Sequence, residues 1–337
     1  MTASQGCPKP PEHAAGGQAM QALRVGVLGA GHFGQFHARK LAKFRLLSGI
    51  SDVSAERATM VAAECGVAAL GRDALIAASD AVIVAAPTAH HHEIGLAVLR
   101  AGRHLFVEKP IAATLEQADE MIAEAAARRL VLQVGHIERY SAAIVALREA
   151  MGDFAPRSLD ATRVAPFRPR SLDISVVLDL MIHDIDLVLS LAGAPLVEVR
   201  AVGAPVASRL PDYAVAHLSF ANGAQAQITA SRVAFSMERR LRLLGDQGEI
   251  RVDFLARTLQ SLRPGSTNPA EHLPTHSPTT TTWTDHDSLE AELTAFTQAI
   301  THTTAPEADG RTGREALAAA LQVEEALRGG KPALGSR

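Results

Sequence analysis

The sequence predicts an α/β protein: a doubly wound parallel sheet first, then a mostly antiparallel sheet accompanied by helices. Three observations carry this. From Leu23 to about Gly135, short apolar runs alternate with helical patterns, the rhythm of β-α-β units. From 196 to 262, strand-like segments follow one another closely, with turn signals between them. The chain has 337 residues, too many for one ordinary core, and its 47% hydrophobic and 20% charged residues are a globular balance.

Residues 1–22 lack the apolar core of a signal peptide and read as a disordered leader. "LRVGVL" (23–28) and "LLSGIS" (46–51) read as strands, with helices at 32–44 and 54–65. "DAVIVAAP" (80–87) is a continuous apolar run, as buried parallel strands read. A helix over 93–102 closes on Gly102, and "HLFVEKP" (104–110) is the next strand. Thr114 is a capping candidate for a helix over 114–129, and "LVLQVG" (130–135) ends the series.

Helices at about 138–151 and 176–192 flank a strand near 158–166. Strand-like segments follow at 196–206, 213–221, 224–235, 239–245, 248–254 and 257–262. The segment 264–282 has low complexity and reads as a surface loop, before two helices near 287–303 and 313–328. The expected units are 1–22 (leader), 23–136 and 137–330.

A net charge of −3 gives no electrostatic case for nucleic acid or an anionic membrane, and 4% aromatic residues supply no stacking platform. No apolar run approaches the roughly 20 residues that span a bilayer. Cys7 and Cys65 have no metal-ligand spacing and read as free thiols in a reducing cytoplasm.

"VLGAGHFG" holds Gly29-Ala30-Gly31-His32-Phe33-Gly34, a G-x-G-x-x-G between a strand and a helix. In that context Gly29 allows the tight turn and Gly31 lets the backbone approach a pyrophosphate. Gly34 lets helix and sheet pack closely. Asp52 stands at the end of the second strand, where a carboxylate accepts both ribose hydroxyls of NAD. It would repel the 2′-phosphate of NADP by roughly 4 kcal/mol at ~4 Å and an effective dielectric of ~20. Val53 and Ser54 supply no offsetting cation; Arg57 could swing in, but a solvated helix position is expected of it. NAD is the expected cofactor.

"VLDLMIHDID" (177–186) places charge in an apolar helix. Asp179, His183 and Asp186 fall within about 60° of one another on the helix wheel. Buried charge is costly unless paired, so this stripe must face a partner or a ligand. "EKP" (108–110) ends a strand, where ligands of open α/β sheets bind.

These motifs together resemble the glucose–fructose oxidoreductase/inositol dehydrogenase (Gfo/Idh/MocA) family. They are Gly29 to His37 (G-x-G-x-x-G-x-x-H), Pro87 to His91 (P-T-x-x-H), Glu108-Lys109-Pro110, and Asp179-x-x-x-His183. The resemblance runs over nearly the whole chain from Leu23. It implies an N-terminal Rossmann domain and a C-terminal α/β domain with a large open sheet, which often forms the interface of a homodimer or homotetramer. It implies that Pro87, Thr88 and His91 lie near the nicotinamide ribose, with Glu108 and Lys109 beside the nicotinamide. It also implies a cis Lys109–Pro110 bond and sugar, sugar-nucleotide or cyclitol substrates. "VGHIERYSAAIVALR" and "DISVVLDLMIHDID" look most like the branch that oxidises the C3 hydroxyl of UDP-N-acetylglucosamine, ahead of an aminotransferase that leads to a 2,3-diamino sugar of lipid A. The related pattern E-R-F-N-P reads here Glu138-Arg139-Tyr140-Ser141-Ala142.

In such an enzyme, His183 is the expected base and Lys109 its electrostatic partner, with the reverse assignment open. Asp179 would orient His183 or hold a neighbouring hydroxyl, while Asp186 is expected to be satisfied inside the core. Arg168 and Arg170, and Arg139 with Tyr140, are the candidates for a UDP pyrophosphate and sugar. "HHH" (90–92) invites a metal reading, but neighbouring residues at a helix start diverge. No metal is expected: His91 is read as a cofactor neighbour, with His90 and His92 solvated. A metal-dependent phosphohydrolase would leave the glycine loop without a role. A non-catalytic NAD sensor would have no need of a base and its partner.

Overall fold

In the computed structural model residues 23–329 are described, apart from 170, 171, 173 and 269–272. The expected leader, Cys7 and Arg170 lie outside the described residues. The first sheet has five parallel strands: β1 (Val25–Leu28), β2 (Leu47–Ser51), β3 (Ala81–Val84), β4 (His104–Glu108) and β5 (Leu132–Gly135). Their order is β2-β1-β3-β4-β5. Helices α1 (His32–Lys43), α2 (Ala55–Cys65), α3 (Arg72–Ala78), α4 (His91–Arg100) and α5 (Leu115–Ala127) connect them. Every residue of β1 and β3 is buried, which is why both read as unbroken apolar runs. Ser54 and Thr114 cap α2 and α5, accepting from the N–H groups of Arg57 and Gln117. The short α3 has no counterpart in the sequence reading, because seven residues carry too little of a helical period.

The second sheet has eight strands: β6 (Ser158–Val164), β7 (Leu196–Ala204), β8 (Tyr213–Phe220), β9 (Gln225–Ser231), β10 (Glu238–Gly245), β11 (Gly248–Asp253), β12 (Thr258–Asn268) and β13 (Leu273–Thr282). Their order is β13-β12-β11-β10-β6-β9-β8-β7, and only β6–β9 is a parallel pair. One face packs Leu218, Ile228, Leu243 and Ile250 against α6 (Ala142–Met151), α7 (Ile182–Ala192) and α9 (Gly310–Gly329). The opposite face exposes Val202 and Tyr213.

The expected loop over 264–282 is a correction: most of it forms the paired strands β12 and β13. Threonine is β-branched and suits a strand, while Pro274 and Pro278 sit on the edge strand, where a missing N–H is tolerated. The helix expected over 176–192 begins instead with a π turn, Val177–Met181.

The C-terminal helices join the two sheets. Leu293, Phe296 and Ala299 of α8 (Ser288–His302) enter the core with Val25, Val27 and Phe106 of the first sheet. On α9, Leu317 reaches the other core of that sheet, while Ala316, Ala320 and Val323 serve the second sheet.

α8 also buries Glu292, 1% exposed. Burial, with the charges of Glu108 and Asp186, holds its carboxyl well above the usual value of 4.5 and favours the neutral form. A raised folded pKa means that stability is fully present below the unfolded value and is lost as pH rises. Glu292→Gln is therefore expected to raise the thermal midpoint at pH 8, with the gain shrinking toward pH 5. A midpoint lowered equally at both pH values contradicts this.

Candidate active site

The C-terminal ends of the first sheet's strands open into a cleft of about 1090 Å3. Strand order reverses between β1 and β3, so the turns beyond them diverge and leave a crevice there. Its lining includes Gly29, Gly31, His32 and Phe33 from the β1–α1 turn, and Asp52 and Arg57 beyond β2. It also includes Pro87 and His90 beyond β3, and Glu108 and Lys109 at the end of β4. Ile174 and Asp179 close it from the second half of the chain.

The glycine loop is built for close approach. A Cβ on Gly34 would lie 1.7 Å from the carbonyl oxygen of Gly29, so helix and strand pack only with glycine there. Among the described residues nothing lies within 4 Å of where a Cβ on Gly31 would stand, so that side of the loop is open to a ligand. Among the described residues no side chain caps α1, so its first N–H groups remain available to an anion. Asp52 accepts from Ala30 N–H at 2.7 Å and from Ser54 N–H at 2.8 Å, which ties β2 to the loop.

Arg57 is exposed on α2, as expected, yet it also swings in: its guanidinium lies 3.3 Å from Asp52 Oδ1 and lines the cleft. The cation missing from Val53 and Ser54 arrives one helical turn later.

At the other end of the cleft, the Lys109–Pro110 bond is cis. Lys109 Nζ donates to the carbonyl of Asp179 at 2.7 Å and approaches that of Leu178 at 3.5 Å. The π turn carries both carbonyls, so one irregular turn sets Lys109 beside Asp179. Glu108 accepts from buried His37 at 2.7 Å. Burial opposes ionisation of Glu108, but His37 and the Lys109 charge outweigh it and hold the carboxyl below its usual range.

His183 stands one turn beyond Asp179 and is half-buried, with its Nδ1 buried. Burial, then the charges of Lys109, Arg163, His136 and Arg239, push the imidazole well below 6.5. It is neutral at pH 7, the form a base requires.

Residues 23–136 match the oxidoreductase family with an NAD-binding Rossmann fold, and 143–251 match the GFO/IDH/MocA C-terminal domain. The chain is 44% identical over 306 residues to UDP-N-acetylglucosamine 3-dehydrogenase of Acidithiobacillus ferrooxidans, covering 90% of this chain and 97% of that one. The chain belongs to the Gfo/Idh/MocA family. A crystal form of that Acidithiobacillus ferrooxidans enzyme superimposes with a TM-score of 0.86 at 43% identity, covering 91% of this chain and 98% of that one. Myo-inositol 2-dehydrogenase of Thermotoga maritima is 30% identical over 264 residues, covering 70% of this chain and 77% of that one.

The Gfo/Idh/MocA Rossmann cleft takes NAD, and the open space at Gly31, the α1 N-terminus and Asp52 fit it. Asp52→Asn is expected to raise the NADP-to-NAD ratio of kcat/KM at least about tenfold, because Arg57 then faces the 2′-phosphate without a competing carboxylate. Initial rates with both cofactors check this, and an unchanged ratio contradicts it.

The other residues expected from the Gfo/Idh/MocA motifs divide. His90, not His91, lines the cleft. His91 is buried, its ring nitrogens 2.9 Å and 2.8 Å from the carbonyls of Pro110 and Ala86, and so braces the turns that carry Lys109 and Pro87. Thr88 starts the short 3-10 turn that leads to it. His92 pairs with Glu120 at 2.8 Å, so the three histidines serve three different ends.

Arg139 is a further correction. It forms a buried two-point pair with Asp186, at 2.7 and 2.8 Å, and borders a separate small cavity with Thr312 and Glu315. Two charges so paired satisfy each other, and Asp186 sits in the core as expected. Tyr140 is also buried, beside Glu292 and Glu307, so it is not a cleft residue. Arg163, from the same arginine-rich stretch as Arg168, is buried against Asp184 at 2.7 Å and Glu138 at 2.8 Å. Arg168 is exposed on the segment after β6.

The sequence reading gave no role of their own to His37 and His136, and read His90 as solvated. His37 and His136 stand within or next to motifs it quoted, and His136 directly follows a strand end, where a site residue of an open sheet is expected.

Proposed function

We propose that this chain oxidises the C3 hydroxyl of UDP-N-acetylglucosamine to the ketone with NAD. Lys109 and Asp179 lining the cleft, with His183 one turn beyond Asp179 and within the field of Lys109, carry this reading, and the 44% identity to an enzyme of that name chooses the substrate. When bound, NAD supplies the hydride acceptor. His183 takes the hydroxyl proton, Lys109 stabilises charge developing on the oxygen, and Asp179 holds the sugar or orients His183. Arg168 and Arg170 are the proposed pyrophosphate contacts, replacing Arg139.

A 3-ketone next to an acetamido group is the substrate an aminotransferase needs, so a partner enzyme of that class would draw the reaction forward toward a 2,3-diamino sugar of lipid A. Residues 23–136 are proposed as the cofactor unit and 137–330 as the substrate and assembly unit. The open face bearing Val202 and Tyr213 would join copies into a dimer or tetramer. Among the described residues no helix is long and apolar enough to cross a membrane; the proposed place of this nucleotide-sugar chemistry is the cytoplasm.

The test is NADH formation, with a ketone trap, across UDP-N-acetylglucosamine, other UDP-sugars, free sugars and myo-inositol. Turnover highest on UDP-N-acetylglucosamine supports the reading. Preference for inositol would move this chain to the substrate class of the Thermotoga maritima relative.

A further inference from the structure

We propose that His136, oriented by Asp186, positions His183 for proton transfer through one bridging water. This deepens the reading above and rests on His183 as the base. His136 follows Gly135, which pairs in register with Glu108, so the histidine emerges beside Lys109. It is 1% exposed. Neither of its ring nitrogens has a hydrogen-bond partner among the described residues, and neither has the buried Nδ1 of His183. Buried polar nitrogens left unbonded are costly, so three of them around one catalytic helix call for a shared partner.

Asp186 supplies the anchor. It stands three residues beyond His183, on the same face of α7. Its Oδ2 lies 3.7 Å from His136 Nδ1 and 2.7 Å from Arg139 Nε. The charges acting on His136 are those of Asp186, Arg139, Lys109 and Glu108, and those acting on His183 are Lys109, Arg163, His136 and Arg239. Asp186 is the anion that favours an N–H at His136 Nδ1. That leaves His136 Nε2 as an acceptor for a water, which in turn accepts from His183 Nδ1–H.

The consequence is tautomeric. His183 Nε2 can take a proton only if Nδ1 carries the ring hydrogen, and that hydrogen needs an acceptor. In the step itself, the C3 hydroxyl O–H bond breaks and the proton passes to His183 Nε2, while the C3 hydrogen leaves as hydride to NAD. No bond to His136 changes, so it is a positioning residue.

Two variants of the full chain test this, His136→Leu and His136→Gln, with thermal unfolding as a check that both fold. Nitrogen NMR of the His183 ring is expected to show the Nδ1–H tautomer in the wild type and in the glutamine variant, whose amide can still bond a water. The leucine variant is expected to lose that tautomer and about 10²-fold in kcat, with KM for NAD unchanged. An unchanged His183 tautomer in the leucine variant overturns the proposal, as does wild-type kcat. The NMR reading needs no turnover, so a wrong substrate assignment would show as an inactive wild type with the tautomer comparison intact.

Discussion

Lys109→Met is expected to lower kcat for alcohol oxidation about 10³-fold and to leave NAD affinity nearly unchanged. Methionine keeps an unbranched apolar stem but removes the ammonium that β4 and the π turn bring together. Alkoxide charge develops only as hydride leaves, so the loss belongs in kcat, not in cofactor binding. The π turn then lacks the donor at the Asp179 carbonyl, so Asp179 loosens as well. Steady-state kinetics with cofactor titration check this. A variant that loses NAD binding while keeping kcat would place Lys109 in the cofactor site alone.

The second large effect belongs to His183. His183→Asn is expected to reduce kcat by about 10²- to 10⁴-fold and to remove the acid limb of the kcat/KM profile. Burial and the surrounding cations depress the wild-type imidazole below 6.5. That acid limb should therefore lie below the ordinary histidine range, with full activity through neutral pH. The same depression has a stability sign. The unfolded chain takes up a proton near 6.5 that the folded ring refuses, so stability is lost as pH falls below that value. An acid limb at or above 6.5 that persists in His183→Asn would assign the titration to another group.

The first sheet was legible because its parallel strands are buried on both faces and its glycine loop serves backbone geometry. Asp179, which lines the cleft, was legible because charge inside an apolar helix demands a reason. What stayed hidden depended on pairing across the chain. Arg139 reads as a free cation until Asp186, 47 residues away, claims it. His90 and His91 differ by one residue, and only the 3-10 turn decides which faces the cleft. Beyond Leu262, β12 and then β13 are polar and interrupted by proline, so apolar periodicity had nothing to detect there. The π turn leaves no mark in periodicity either, yet it presents the carbonyls that hold Lys109.

Transfer of a C3 label tests the central claim most directly. UDP-N-acetylglucosamine carrying deuterium at C3 is incubated with NAD and a ketone trap, and the reduced cofactor is examined by mass spectrometry. The proposed function predicts one deuterium per reduced nicotinamide and a 3-keto product. Reduced cofactor without deuterium, or label retained in an oxidised sugar, would contradict oxidation at C3.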